Sequence, residues 1–200
     1  RDSRFETIGF SLKVGDHPAQ WYTGDQYYLA SILNQIDWSR VVMAAHNCRF
    51  DAAILNWRFG LRPAKYLCTM QMARGLVGLD TSCSLEKLGE YFQLSRRKGD
   101  EVVKAFGKRR DEFHPTELAQ YGLYCENDSE MCRELVDILL PKTLQSEVLL
   151  QDWTVRSYVE PKLVLNEQLL LSGLQDFRTR KGQLPAACGV NNGGGLRSDG

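Results

Sequence analysis

Apolar residues along the chain first alternate and then recur at helical spacing, and that order repeats. "RFETIGFSLKV" (4–14) alternates as a strand does, "GDHP" supplies a turn, and "AQWYTG" (19–24) reads as its hairpin partner. "QYYLASILNQI" (26–36) has the apolar spacing of a helix. A short apolar run at 41–45 predicts a buried strand, and a helix is expected from about 50 to 59. "AKYLCT" (64–69) predicts another short strand, followed by a helix over 70–77 and a third from Ser84, whose hydroxyl can cap "LEKLGEYFQL". His114-Pro115-Thr116-Glu117 marks the start of a long helix, with proline in the first turn. Two more helical stretches follow, "KTLQSEVLLQDWTVRSYV" (142–159) and "LVLNEQLLLSGL" (163–174). The last stretch, "GQLPAACGVNNGGGLRSDG", is rich in glycine and asparagine and predicts irregular chain. Strands alternating with helices argue for an α/β layer, and no internal repeat is evident.

Composition narrows the class. Two hundred residues with 43% apolar content suffice for one domain with a real core and some further chain. The longest apolar runs, such as Ile138-Leu139-Leu140, fall far short of the roughly 18 residues that a bilayer span needs, so no membrane role is expected. The polar start Arg1-Asp2-Ser3-Arg4 has no signal-peptide core, so no export is expected. Cysteines at 48, 68, 83, 125, 132 and 188 form no C-x-x-C pair; read as reduced thiols, they imply a cytosolic setting.

Formal charge sums to zero, yet it is unevenly spread. Residues 96–110, "RRKGDEVVKAFGKRR", carry seven Lys or Arg against Asp100 and Glu101, a local +5. Such a run either tracks phosphates or forms a solvated loop.

Within the long helix, Leu118, Tyr121, Cys125, Asp128, Cys132, Leu135 and Leu139 recur at spacings of three and four and make one stripe. Asp128 interrupts it. An acid on an inward face needs a partner, which leaves a structural ion pair with an arginine and a functional acid both open. Tyr124, one turn earlier on the adjoining surface, is either an amphipathic core residue or part of the same site.

Two short motifs join these residues to the start of the first crossover helix. Asn47-Cys48-Arg49-Phe50-Asp51 has the form N-x-x-F-D at a strand-to-helix junction, and Tyr124-Cys125-Glu126-Asn127-Asp128 has the form Y-x-x-x-D. They resemble the second and third motifs of the DEDD 3'-5' exonucleases, with "CTMQMARGL" and "SLEKLGEYFQL" between them in the family's order. The tyrosine subclass is indicated, because the histidine subclass places His where this chain has Leu123. The flanks "RFETIGFSLKVGDHPAQWYTGD" and "DWTVRSYVEPKLVLNEQLLL" look like those of this domain in phage-type family A DNA polymerases, so the resemblance covers about residues 4 to 175. No palm or fingers segment is present.

The resemblance implies a ribonuclease-H-like mixed sheet flanked by helices. It implies a proofreading exonuclease domain over 1–140, a helical connection toward a polymerase domain over 141–175, and a Gly-rich irregular tail over 176–200. The substrate would be a single-stranded DNA 3' end. Hydrolysis would use two Mg²⁺ or Mn²⁺ ions, because converging carboxylates must hold ions that bind both the attacking and the leaving oxygen. Asp51 and Asp128 would be metal ligands and Tyr124 would position the attacking water. Asn47 and Phe50 would shape the pocket, with Phe50 packed under the metals or against the terminal nucleotide. Arg49, His46 and the basic run would meet phosphates or simply be solvated surface. His46 and Cys48 as a zinc pair is weaker, since two ligands make no site.

The family's first motif, D-x-E, has no fitting position. Arg4-Phe5-Glu6-Thr7 looks like D-F-E-T with its aspartate replaced, but the residues after Glu6 match the family's second strand. Glu6 is therefore read as incidental, the first motif is expected upstream of Arg1, and the sheet is expected to lack its central first strand. A chain with two of four acids would bind ions weakly, which places its own activity in question. Two alternatives stand beside the leading reading: a nuclease-like module that binds DNA without cutting, and a stand-alone RNA-trimming exonuclease of the same superfamily.

Overall fold

A computed structural model describes residues 5–78, 80–97, 107–160 and 164–187. The chain divides into two units, 1–160 and 161–200. In the first, β1 (Gly9–Leu12) and β2 (Gln20–Thr23) form an antiparallel hairpin in which Gly9 faces Thr23 and Leu12 faces Gln20. Helix α1 (Gln26–Leu33) starts where the Asp25 carboxylate accepts from Tyr28 N at 2.8 Å, and it buries Leu29 and Leu33.

The next segment is a βαβ unit: β3 (Val42–Ala45), α2 (Cys48–Phe59) and β4 (Lys65–Cys68), with the strands parallel and Ala45 beside Cys68. Gly60 stops α2 at φ +72°, a left-handed position that costs glycine little. Two helices follow, α3 (Thr69–Val77) and α4 (Leu85–Tyr91), the latter capped by the Ser84 hydroxyl as its sequence predicts. Helix α5 (Pro115–Leu139) begins at His114, where Glu117 reaches back to His114 N at 3.2 Å. Helix α6 (Gln145–Val159) closes the unit.

Three apolar clusters hold these elements. Leu33, Trp38 and Leu55 join α1 to α2. Cys48, Ala52, Tyr66, Val155 and Val159 join α2, β4 and α6. Met72, Leu88, Met131, Leu135 and Leu139 join α3 and α4 to α5, which also packs on β1, β2 and β3.

The α/β class holds, but the expected single mixed sheet does not appear among the described residues. The β1–β2 and β3–β4 pairs are separate two-stranded sheets, each lying against α5, and no described segment pairs with their remaining edges. The first strand is also shorter than its alternation predicts. Residues 5–8 lie outside the ladder, with the Phe5 carbonyl accepting from the Arg58 guanidinium at 2.8 Å.

In the second unit, α7 (Glu167–Ala187) runs well past the predicted end at 174 and takes in residues 176–187 of the stretch expected to be irregular. Its sequence is consistent with the extension: "DFRTRKGQL" holds one glycine and five good helix formers, Arg178, Arg180, Lys181, Gln183 and Leu184, and the glycine-rich composition begins only at Gly189. Residues 188–200 lie outside the described residues. No described helix is long and apolar enough to cross a membrane.

Candidate active site

β3 ends at Ala45, and His46 and Asn47 turn the chain into α2. Asn47 makes the turn at φ 59° and ψ 48°, a left-handed conformation that asparagine tolerates better than most residues with a side chain. Its carbonyl accepts from Phe50 N at 3.0 Å. The turn sets Asp51 in the first turn of α2, where unpaired N–H groups favour a negative charge.

Asp51 is half-buried, and its carboxyl is pushed up to about 7. Burial is the largest cause; a hydrogen bond from its own backbone opposes it, and the charge of Asp128 adds to it. Asp128 comes from the middle of α5, so two distant segments bring their carboxylates into one environment. Tyr124, one turn before Asp128, is buried, and its hydroxyl hydrogen-bonds with Asp128. Burial first, and then the Asp128 charge, hold the phenol well above its usual range, so it stays a protonated donor at any working pH. The Cys125 thiol beside it is pushed up to about 12 by burial and by Asp128 and is therefore neutral.

The structure thus brings together Asp51, Tyr124 and Asp128. The other expected residues are placed differently. Asn47, at the turn into α2, and Arg49, in its first turn, are exposed. Phe50 is 61% exposed, so it is not a packing anchor beneath the carboxylates; its ring faces solvent because Cys48, Ala52 and Ala53 supply the buried face of α2. His46 is half-buried, with Nδ1 2.9 Å from Thr69 Oγ1 and Nε2 3.0 Å from the Cys83 carbonyl oxygen. Both ring nitrogens are engaged inside the protein, which makes His46 a brace between β3, α3 and the approach to α4 rather than the exposed phosphate contact expected of it. Glu6 is exposed, and the charge acting on Asp51 is that of Asp128.

Two oxygen-bearing acids suit one hard divalent cation completed by water. A two-ion centre needs more, and among the described residues no group of three or more His, Cys, Asp or Glu stands close enough to hold a metal. The zinc pair at His46 and Cys48 finds no further ligands there either. Of the basic run, residues 98–106 lie outside the described residues. Its stem is tied to the site, because Asn127, next to Asp128, donates its side-chain N–H to the Arg97 carbonyl.

Sequence reasoning missed how the hairpin is fastened to α5. Glu126 accepts from Trp21 N at 2.8 Å and Glu130 from Ala19 N at 2.7 Å, while Glu130 also pairs with Lys13 at 2.9 Å. The one signal for this contact was Gly122, a poor helix former left inside a long helix.

A family model described as 3'-5' exonuclease matches residues 10–144, a stretch that holds Asp51, Tyr124 and Asp128. No curated protein and no solved structure matches the chain.

Proposed function

The chain belongs to the 3'-5' exonuclease family, and from that membership we propose that it removes 3'-terminal nucleotides from single-stranded DNA as the proofreading domain of a family A, phage-type DNA polymerase. In this reading it is of the DEDD type, tyrosine subclass, with a ribonuclease-H-like sheet built around β1–β2 and β3–β4. Residues 1–140 carry the nuclease, and 141–175 lead toward the polymerase domain. The observation that carries the reading is the convergence of Asp51 with the Tyr124–Asp128 pair at the end of β3.

Each residue has a part that follows from its chemistry. Tyr124 keeps its proton, so it orients the attacking water by hydrogen bonding rather than by abstracting a proton. Asp128 fixes the direction of that hydroxyl. Asp51 and Asp128 would hold Mg²⁺ or Mn²⁺, two ions in the full mechanism, which when bound offset charge on the phosphate oxygens. Phe50 offers an exposed ring on which a terminal base can stack, Asn47 lines the same turn, and Arg49 offers a cation to the adjoining phosphate.

A second reading, a nuclease-like module that binds DNA without cutting it, is favoured by the donor set of only two carboxylates among the described residues. One experiment separates the two: incubation of 5'-labelled single-stranded DNA with the chain and Mg²⁺ or Mn²⁺, beside Asp51→Ala and Asp128→Ala. Stepwise shortening from the 3' end, lost in both variants, is the expected result. Binding without shortening would overturn catalysis in favour of the second reading, and preferential shortening of RNA ends would overturn the DNA assignment.

A further inference from the structure

Tyr124 has an aromatic neighbour besides its contact with Asp128. Its ring stacks on Tyr121, with centroids 5.9 Å apart and planes at 21°. Tyr121 in turn meets the edge of Trp21 at 6.0 Å and 88°. Trp21 belongs to β2, about a hundred residues earlier in the chain, and its indole is seated on two glycines. The six-membered ring lies against Gly9 in β1, and the pyrrole edge lies against Gly122 in α5, where an added Cβ would come within 2.5 Å of Trp21 Cδ1. The Trp21 backbone N–H is anchored on Glu126 at 2.8 Å. The indole N–H is buried without an acceptor among the described residues, so packing rather than hydrogen bonding sets the ring.

We infer that Trp21 is a positioning residue: through Tyr121 it fixes the ring of Tyr124 and thereby the direction of the hydroxyl held by Asp128. The inference rests on the proposed role of Tyr124 and adds a source of rigidity outside the motif. A tyrosine that orients water is sensitive to small displacements, because misplacing a reacting group by about 1 Å can cost about a hundred-fold in rate. α5 gives the ring its backbone and the stacked Tyr121. The hairpin supplies the second wall, and the two glycines are what let the indole approach closely enough to supply it.

The test is a double-mutant cycle on the full chain with wild type, Trp21→Leu, Tyr124→Phe and the double variant, read as kcat and KM for shortening of 5'-labelled single-stranded DNA. Trp21→Leu is expected to lower kcat about ten-fold with KM little changed. In the Tyr124→Phe background the same substitution should change kcat less than about two-fold, because the hydroxyl that it misplaces is already gone. Trp21→Phe, which keeps an aromatic edge, should recover most of the loss. An equal factor in both backgrounds, or no factor in either, would overturn the inference. A second readout needs no activity: with ring-labelled tyrosine, Trp21→Leu should move the Tyr124 resonances. Unmoved resonances refute the positioning role whatever the enzyme does. Moved resonances in a chain that cuts no DNA refute the nuclease reading and leave the packing relation standing.

Discussion

Asp152 in α6 accepts a 2.9 Å hydrogen bond from the backbone N–H of Tyr66 in β4. A helix beyond the stretch that matches the family thereby caps a donor on the parallel strand pair beside the candidate site. The same carboxylate holds Arg156 at 3.0 Å, whose guanidinium covers the Tyr66 ring at 5.1 Å and donates to the carbonyls of Pro63 and Ala64. Asp152→Ala would leave a buried N–H without an acceptor and a half-buried cation without its nearest anion. The expected loss is about 3 kcal/mol, with Asp152→Asn losing less because an amide oxygen still accepts from Tyr66. Urea unfolding of the three proteins checks both the loss and its order.

Two helix glycines should respond to alanine with opposite signs. Among the described residues nothing lies within 4 Å of where a Cβ would go on Gly75 in α3, so Gly75→Ala should stabilise the chain by about 0.5–1 kcal/mol through backbone entropy and helix propensity. Gly122 in α5 meets the Trp21 indole, and Gly122→Ala should cost about 1–3 kcal/mol as the rings are pushed apart. Thermal melts of the pair, run side by side, decide it. Stabilisation by both would mean that the seat under the indole is softer than its geometry implies, and loss in both would overturn the expectation for Gly75.

These contacts mark where the sequence was legible and where it was not. The βαβ unit could be read from the apolar run at 41–45 and the "KYLC" strand, because short apolar runs are local signals. The burial expected of the run at 41–45 does not hold, since β3 alternates between exposed and half-buried residues and Val42 is 53% exposed. The start of α5 could be read from His114, Pro115 and Glu117, since capping is also local. Tyr124 was set beside the buried stripe, yet the structure buries it against the stacked ring of Tyr121, which itself meets Trp21 from the hairpin, a neighbour that helical periodicity does not announce. His46 next to a catalytic-looking motif suggested a ligand for phosphate, whereas its partners, Thr69 and the Cys83 carbonyl, lie in segments that no local pattern links to it. The motif residues Asp51, Tyr124 and Asp128 were recognisable as a set only through a family resemblance. Their convergence is a long-range property that spacing alone does not encode.

The raised carboxyl of Asp51 sets a direction for stability against pH in the absence of divalent cations. Its folded-state pKa of about 7 exceeds the ordinary value of 3.8, so the fold favours the protonated group. That contribution is fully present below about pH 4 and is lost as pH rises toward 7. With chelator present, unfolding measured between pH 4 and 8 should show stability falling across this window. Asp51→Asn, which cannot ionise, should flatten the slope. Mg²⁺ added at pH 8 should restore stability to the wild type and not to the variant, because a bound cation favours the ionised pair. An unchanged slope in Asp51→Asn would assign the dependence to other groups.

Phe50 separates a surface built for a ligand from one that is merely apolar. The ring is 61% exposed in the first turn of α2, adjacent to Asp51, so removing it leaves no cavity, and Phe50→Ala should change stability by less than about 0.5 kcal/mol. A base stacked on such a ring contributes about 1–3 kcal/mol, so the same substitution should weaken binding of a short single-stranded DNA about ten-fold or more. Tyr27 in α1, 88% exposed, is the control: it is more accessible than Phe50 but belongs to another element, and Tyr27→Ala should leave the affinity unchanged. Fluorescence anisotropy in Ca²⁺, with melting curves for each variant, gives both quantities without turnover. Equal weakening by the two substitutions would mean that DNA meets exposed aromatics indiscriminately. Weakening by neither would remove Phe50 from the binding surface and leave Asn47 and Arg49 as the residues of that turn to test next.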